Sequence, residues 1–178
     1  MSHVAVAAVG DDRPGIVAAV TGVLMQHGCN LEDTSMTILR GHFAMMLVVE
    51  CPPGVGATAL EHAIETATGS LDLVVSVRPI GDGHTSRPEG NGWTIVVYGG
   101  DRPGIVHRMS ADLADAGVNI IDLTTQVSGE QDRPVYSMVL EVVTPASLGE
   151  PELAALLETA AAELGVECTL RRADADIL

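Results

Sequence analysis

Two six-residue stretches, Asp12-Arg13-Pro14-Gly15-Ile16-Val17 and Asp101-Arg102-Pro103-Gly104-Ile105-Val106, hold the residues best placed for chemistry on a small charged molecule. Each follows a short β-rich run that ends in glycine: His3 to Val9 before Gly10 and Asp11, and Trp93 to Tyr98 before Gly99 and Gly100. Each precedes an apolar helical pattern, so the stretch spans a strand-to-helix turn. Proline there sets φ near the helical value and lacks an N–H that would otherwise be orphaned, and Asp12 is expected to cap a first-turn amide. Gly15 has no side chain to block approach. The free amides and the positive end of the helix dipole then make a modest anion site, suited to one carboxylate rather than to a polyphosphate. An amino acid presents such a carboxylate, and Asp12, Asp33, Asp101 and Asp122 are candidates for its ammonium group. The same residue types also serve simply to begin a helix, as Gly-x-Asn serves to leave one, and taken singly the motifs leave both readings open.

Other constellations are weaker. His27, His42, His62, His84 and His107 are unclustered, and Glu61, His62 and Glu65 read as a solvated helix face, so no metal is expected. Walker A, GxSxG and HExxH motifs are absent, and Ser35, Ser76, Ser110, Ser128 and Ser137 lack an activating context. Gly99 to Gly104 misses the spacing of a dinucleotide fingerprint, so no cofactor is expected. With no nucleophile, base and orienting group converging, the chain reads as a non-enzyme. Cys29, Cys51 and Cys168 are far apart and odd in number, which argues against a disulfide framework and for small buried thiols. Met36, Met45 and Met46 are expected in the core.

The elements that must position the turns come in two copies. At an offset of 89 the two stretches align without a gap, and Leu24, Gly28, Asn30 and Asp33 fall on Leu113, Gly117, Asn119 and Asp122, ten identities in 22 positions. Glu50 falls on Glu141 at an offset of 91, which places a two-residue insertion in the turn between. Ile16, Val20, Val23 and Leu24, and Ile105, Met109 and Leu113, mark one face of a helix that Gly28 or Gly117 ends. Strands are predicted over Cys29 to Leu39 and Phe43 to Cys51, turning at Arg40 to His42; the second copy turns over Ser128 to Arg133. Second helices are predicted over Ala57 to Thr68 and Pro151 to Leu164, and last strands over Leu73 to Pro79 and Val166 to Arg171. The order is therefore βαββαβ twice, an α+β fold: module 1 over 1–80, a linker over 81–92, module 2 over 93–172 and a tail over 173–178.

The charge narrows the partners. Nine arginines and no lysine stand against 24 acidic residues, a formal net charge of -15, which disfavours direct nucleic-acid binding. No apolar run approaches the ~18 residues of a membrane span, and Met1-Ser2-His3 lacks a signal peptide's basic region, so a cytoplasmic protein with no membrane partner is expected.

The series strand, Asp-Arg-Pro-Gly-Ile-Val, helix, Gly-x-Asn-[Leu/Ile]-x-Asp, strand resembles the ACT domain, here twice over nearly the whole chain. The tandem without a further domain resembles the glycine cleavage system transcriptional repressor group. Similar copies precede the catalytic parts of phosphoserine phosphatases and formyltetrahydrofolate deformylases, for which Met1 to Leu178 is expected to leave no room. The resemblance implies ferredoxin-like modules, antiparallel sheets backed by helices, that abut side by side and hold an amino acid at their interface. Carried over, one site uses Gly10, Asp11, Asp12, Arg13, Pro14 and Gly15 with Asn119, Ile120 and Asp122. Its pseudo-symmetric twin uses Gly99, Asp101, Arg102, Pro103 and Gly104 with Asn30, Leu31 and Asp33. Asp11 matches Gly100, Glu32 matches Ile121 and His27 matches Ala116, so the two sites are not equal. The expected function is an amino-acid-responsive regulator, glycine or serine being the first candidates, acting on a regulatory protein partner or on its own assembly. The alternatives are a regulatory subunit of an amino-acid enzyme and a scaffold with vestigial pockets. Open sheet edges predict a homodimer.

Overall fold

A strand whose alternate residues are apolar buries one face, and Val4, Val6 and Ala8 do so in β1 (Ser2–Asp11). The computed structural model describes residues 2–81, 90–128 and 134–173, in two units, Met1–Thr85 and Ser86–Leu178. In unit 1, β1 is followed by α1 (Ile16–Gln26), β2 (Asn30–Leu39), β3 (His42–Cys51), α2 (Ala57–Ala67) and β4 (Leu73–Ile80). Unit 2 repeats the series as β5 (Asn91–Gly100), α3 (Ile105–Asp115), β6 (Asn119–Ser128), β7 (Val135–Thr144), α4 (Glu150–Leu164) and β8 (Val166–Arg172). Each unit forms its own four-stranded antiparallel sheet, ordered β2-β3-β1-β4 and β6-β7-β5-β8.

The helix faces read from the sequence are the buried ones: Ile16, Val20, Val23 and Leu24 in α1, and Ile105, Met109 and Leu113 in α3. They pack on Phe43, Met45, Leu47 and Val49 in module 1 and on Tyr136, Met138, Leu140 and Val142 in module 2. Gly28 and Gly117 end the helices at φ 69° and 72°. Cys29 and Val118 then return their N–H groups to the carbonyls of Leu24 and Leu113, closing a Schellman turn in both copies.

Several expectations need correction. β1 and β5 are longer than the apolar runs, because ladder hydrogen bonds continue through Gly10, Asp11, Gly99 and Gly100; Asn91 and Gly92 are strand, not linker. The remaining linker residues 82–89, the tail over 174–178 and the hairpin turn at 129–133 lie outside the described residues. Gly10 pairs with Phe43 and Gly99 with Tyr136, so the third strands correspond at an offset of 93, not 91. The insertion is therefore four residues, since Arg40 and Gly41 alone join β2 to β3 while 129–134 join β6 to β7. Met45 is core, but Met36 and Met46 are about half exposed, 48% and 56%. Met46 lies on the face away from the helices, and Met36 on a strand the helices do not cover. Glu61 leaves the solvated face expected for it, and its carboxylate accepts the Val77 N–H at 2.6 Å.

Candidate functional site

The strand-to-helix turns are built from backbone constraints first. A Cβ on Gly10 would sit 2.7 Å from the carbonyl oxygen of Asp72, and one on Gly99 2.8 Å from Val166 Cγ1, so both strand ends need glycine for close approach. Gly15 and Gly104 adopt φ 98° and 97° as the N-caps of α1 and α3, with no atom within 4 Å of a Cβ placed there. That conformation favours glycine, and the space above it is open. Asp12 does not cap the helix, contrary to expectation. The helix begins two residues after Pro14, no side chain caps either α1 or α3, and the Asp12 N–H donates to the Gly41 carbonyl at 2.9 Å. Arg13 donates to the Ser70 carbonyl and Arg102 to the Leu164 carbonyl, each at 3.5 Å, tying the turn to the end of the second helix in both modules. Asp11 lies 3.2 Å from His42 Nδ1.

The other half of each candidate site, Asn30, Leu31 and Asp33 or Asn119, Ile120 and Asp122, opens an edge strand. A bulge falls at Glu32 and at Ile121, the variable position of Gly-x-Asn-[Leu/Ile]-x-Asp, so the motif is partly a bulge signature. The Asp33 carboxylate accepts the Thr34 N–H at 2.8 Å. Asn30 pairs with Glu50, whereas Gly10 pairs with Phe43 at the opposite end of β3. At ~3.3 Å per residue the two halves lie roughly 23 Å apart within module 1, and the same pairings hold in module 2, so no single module brings them together.

One residue at the turn escaped the sequence reading. Tyr136 is 7% exposed and its hydroxyl has no hydrogen-bond partner among the described residues. Burial, and then the Asp101 carboxylate nearby, push its pKa above the usual tyrosine value, so it is a neutral donor across the physiological range. Its counterpart in module 1 is Phe43, which has no hydroxyl to satisfy. The signal was present: at an offset of 93, Met45, Leu47, Val49 and Pro52 fall on Met138, Leu140, Val142 and Pro145. The offset of 91 set Phe43 against Pro134 and hid the exchange.

A cavity of about 220 Å³ lies against the strand-start half of module 2, lined by Thr94, Val96, Ile121, Glu141 and Arg171 among others. Thr94 pairs with both Arg171 and Glu141, and Glu141 with Asp122, so a cation and two anions share one row across four strands. The matching row of module 1 is Arg78, Ala5, Val48 and Asp33. Among the described residues no three His, Cys, Asp or Glu side chains converge as a metal site would need, and no helix is long and apolar enough to cross a membrane.

A duplicated βαββαβ module with glycine-built turns defines a class, and comparison with known proteins places it: the ACT domain profile matches residues 2–78 and again residues 93–158. This chain belongs to the ACT domain family. It is 48% identical over 79 residues to a UPF0237 protein of Methanopyrus kandleri, covering 44% of this chain and 88% of that one. It is 31% identical over 164 residues to the phosphoserine phosphatase SerB2 of Mycobacterium tuberculosis, covering 90% of this chain but 38% of the phosphatase. It is 22% identical over 171 residues to the glycine cleavage system transcriptional repressor of Escherichia coli, covering 93% and 87%.

Proposed function

We propose that this chain is a non-catalytic regulator that binds a small α-amino acid, glycine or serine first, and thereby alters its contact with a partner protein or its own assembly. The observation that carries the reading is the Tyr136 hydroxyl, buried, neutral and without a partner among the described residues, near Asp101 in the turn before α3. An unsatisfied buried hydroxyl costs on the order of 1–3 kcal/mol, and a side-chain shift that brings it to a ligand carboxylate removes that cost. The free first-turn amides of α3 supply further donors, and Asp101 an acceptor for the ammonium group.

The two half-sites of one module stand at opposite ends of its sheet, so on this reading the turn Gly99 to Gly104, with Tyr136 and Asp101, is the half that carries the ligand. In module 1 the turn Gly10 to Gly15 has Phe43 in place of Tyr136 and is the weaker of the two. Edge strands β2 and β6 favour assembly: Leu31, Met36 and Ile38, and Leu123 and Val127, are exposed on the helix side of strands with an unpaired backbone edge. On this reading the chain is a homodimer, and light scattering that returned a mass near 18.5 kDa would refute it. The ligand biases assembly only through unequal affinity for two arrangements. The relationship to a transcriptional repressor supports a role in the control of amino-acid metabolism, and the net charge of -15, which disfavours direct contact with DNA, supports action through a protein partner. The phosphatase match, which spans 90% of this chain, favours a second reading as the regulatory part of an amino-acid enzyme.

Thermal unfolding against a panel of free amino acids tests the first reading. A ligand at about 100 times its Kd adds roughly 2.7 kcal/mol, or about 5–10 °C for a chain of this length that unfolds as one unit. Tyr136→Phe and Asp101→Ala are expected to abolish a selective shift, with Tyr136→Phe leaving the unliganded protein as stable or slightly more so. A flat panel, or a shift that both variants retain, overturns it.

A further inference from the structure

The two cysteines of module 1 are far apart in sequence, yet their sulfurs stand 2.8 Å from one another. Cys29 is the residue that closes the Schellman turn after α1, and it immediately precedes Asn30 at the start of β2; Cys51 ends β3 and is completely buried. Both are free thiols. Module 2 holds Val118 and Thr144 at the same two places. Val118 is 6% exposed and Thr144 fully buried, with Thr144 Oγ1 accepting from Trp93 Nε1. The fold therefore does not require sulfur at either position, and a pair of thiols stands in one repeat where the other has none.

We propose that Cys29 and Cys51 are an oxidation site that closes to an intramolecular disulfide under a hydroperoxide. The approach needed is less than an ångström, from 2.8 Å to a bond of ~2.05 Å. The half-buried Cys29 meets the oxidant first. Its sulfur attacks the peroxide O–O bond, taking one oxygen as a sulfenic acid while the other leaves as an alcohol or water. Cys51 then displaces that oxygen from Cys29; its thiol proton leaves with the hydroxyl as water, and the two sulfurs bond. Two hydrogens and two electrons pass from the thiols to the peroxide in all. Burial, and the neighbouring thiol, push the Cys51 pKa up to about 12, so it acts as a resolving thiol and not as the first nucleophile. The bond closes a 22-residue separation and fastens the end of α1 and the start of β2 to the end of β3. The inference rests on these distances and not on the amino-acid reading.

The test uses the purified full chain, reduced and then treated with hydrogen peroxide. The thiols titratable in denaturant are expected to fall from three to one, with loss of two hydrogens from the monomer mass and a Cys29–Cys51 cross-link in the peptide map. Thermal unfolding is expected to rise by about 5–12 °C, from the shortened unfolded chain. The variant Cys29→Val with Cys51→Thr, which copies module 2, is expected to show neither change. Three titratable thiols after oxidation, a cross-link through Cys168 or between chains, or an unchanged unfolding temperature would each overturn the proposal.

Discussion

The two modules agree where the backbone is constrained and differ where side chains face one another across strands. Gly15 and Gly104, Arg13 and Arg102, and Gly28 and Gly117 hold equivalent places with equivalent geometry, and Gly10 and Gly99 hold equivalent places against different neighbours. Across the strands, Phe43 stands against Tyr136, Cys51 against Thr144, Ala5 against Thr94 and Val48 against Glu141. A duplicated fold must keep the residues that permit its turns, because their alternatives strain the chain whatever the ligand. It is free to change residues whose neighbours change with them. The shared motifs therefore argue chiefly for the fold, and the differences argue for function: module 2 carries a hydroxyl without a partner among the described residues and a second anion, Glu141, in its charged row, module 1 the thiol pair.

The largest effect that would break this equivalence is expected at the strand ends. Gly10→Ala drives a Cβ against the Asp72 carbonyl oxygen, and Gly99→Ala against the side chain of Val166. A backbone atom yields less readily than a side chain, so we expect a loss of about 2–3 kcal/mol in module 1 and about 1–2 kcal/mol in module 2. Trp93, the single tryptophan, reports the second by fluorescence, and hydrogen exchange reports the first. Equal losses would show that the two glycines carry the same constraint.

A different effect, absent at neutral pH and growing as pH rises, should appear in alkali. The ordinary thiol value of 9.0 is raised to about 12 for Cys51 and about 11 for Cys168 by burial. Above about pH 9 the unfolded thiols ionise while the folded ones stay protonated. The stability these groups contribute is thus fully present below pH 9 and is lost as pH rises toward 11 and 12, at up to about 1.4 kcal/mol per pH unit for each. Urea denaturation across that range should show the slope, and Cys51→Thr should remove the share of module 1 alone. The smallest effect is expected from Arg13→Ala and Arg102→Ala. Each removes one long, exposed hydrogen bond and should cost about 0.5 kcal/mol or less, equally in both modules. An unequal cost would mean that one of the two arginines does more than hold its turn.

Much of this is legible in the sequence. The buried faces of α1 and α3 are the ones periodicity marked, and the helix ends fall at the glycines that could stop them. The capping role given to Asp12 failed for a local reason. The turn needs a left-handed residue just before the helix, and glycine in that conformation replaces the side-chain cap. Met46 failed for a non-local one, because an apolar residue on a strand says nothing about which face the helices cover, and Met36 because an edge strand extends beyond them.

The sequence by itself determined the duplication, the α+β order and the turn residues, because periodicity, φ preference and the lack of a side chain are properties of residues and their near neighbours. Only the tertiary structure decided how β3 and β7 register on their partners, and so chose between the offsets of 91 and 93 that the sequence allowed, and only it brought Cys29 to Cys51. Strand pairing joins residues far apart in the chain, and a hairpin four residues longer shifts every later correspondence without altering the local pattern on either side.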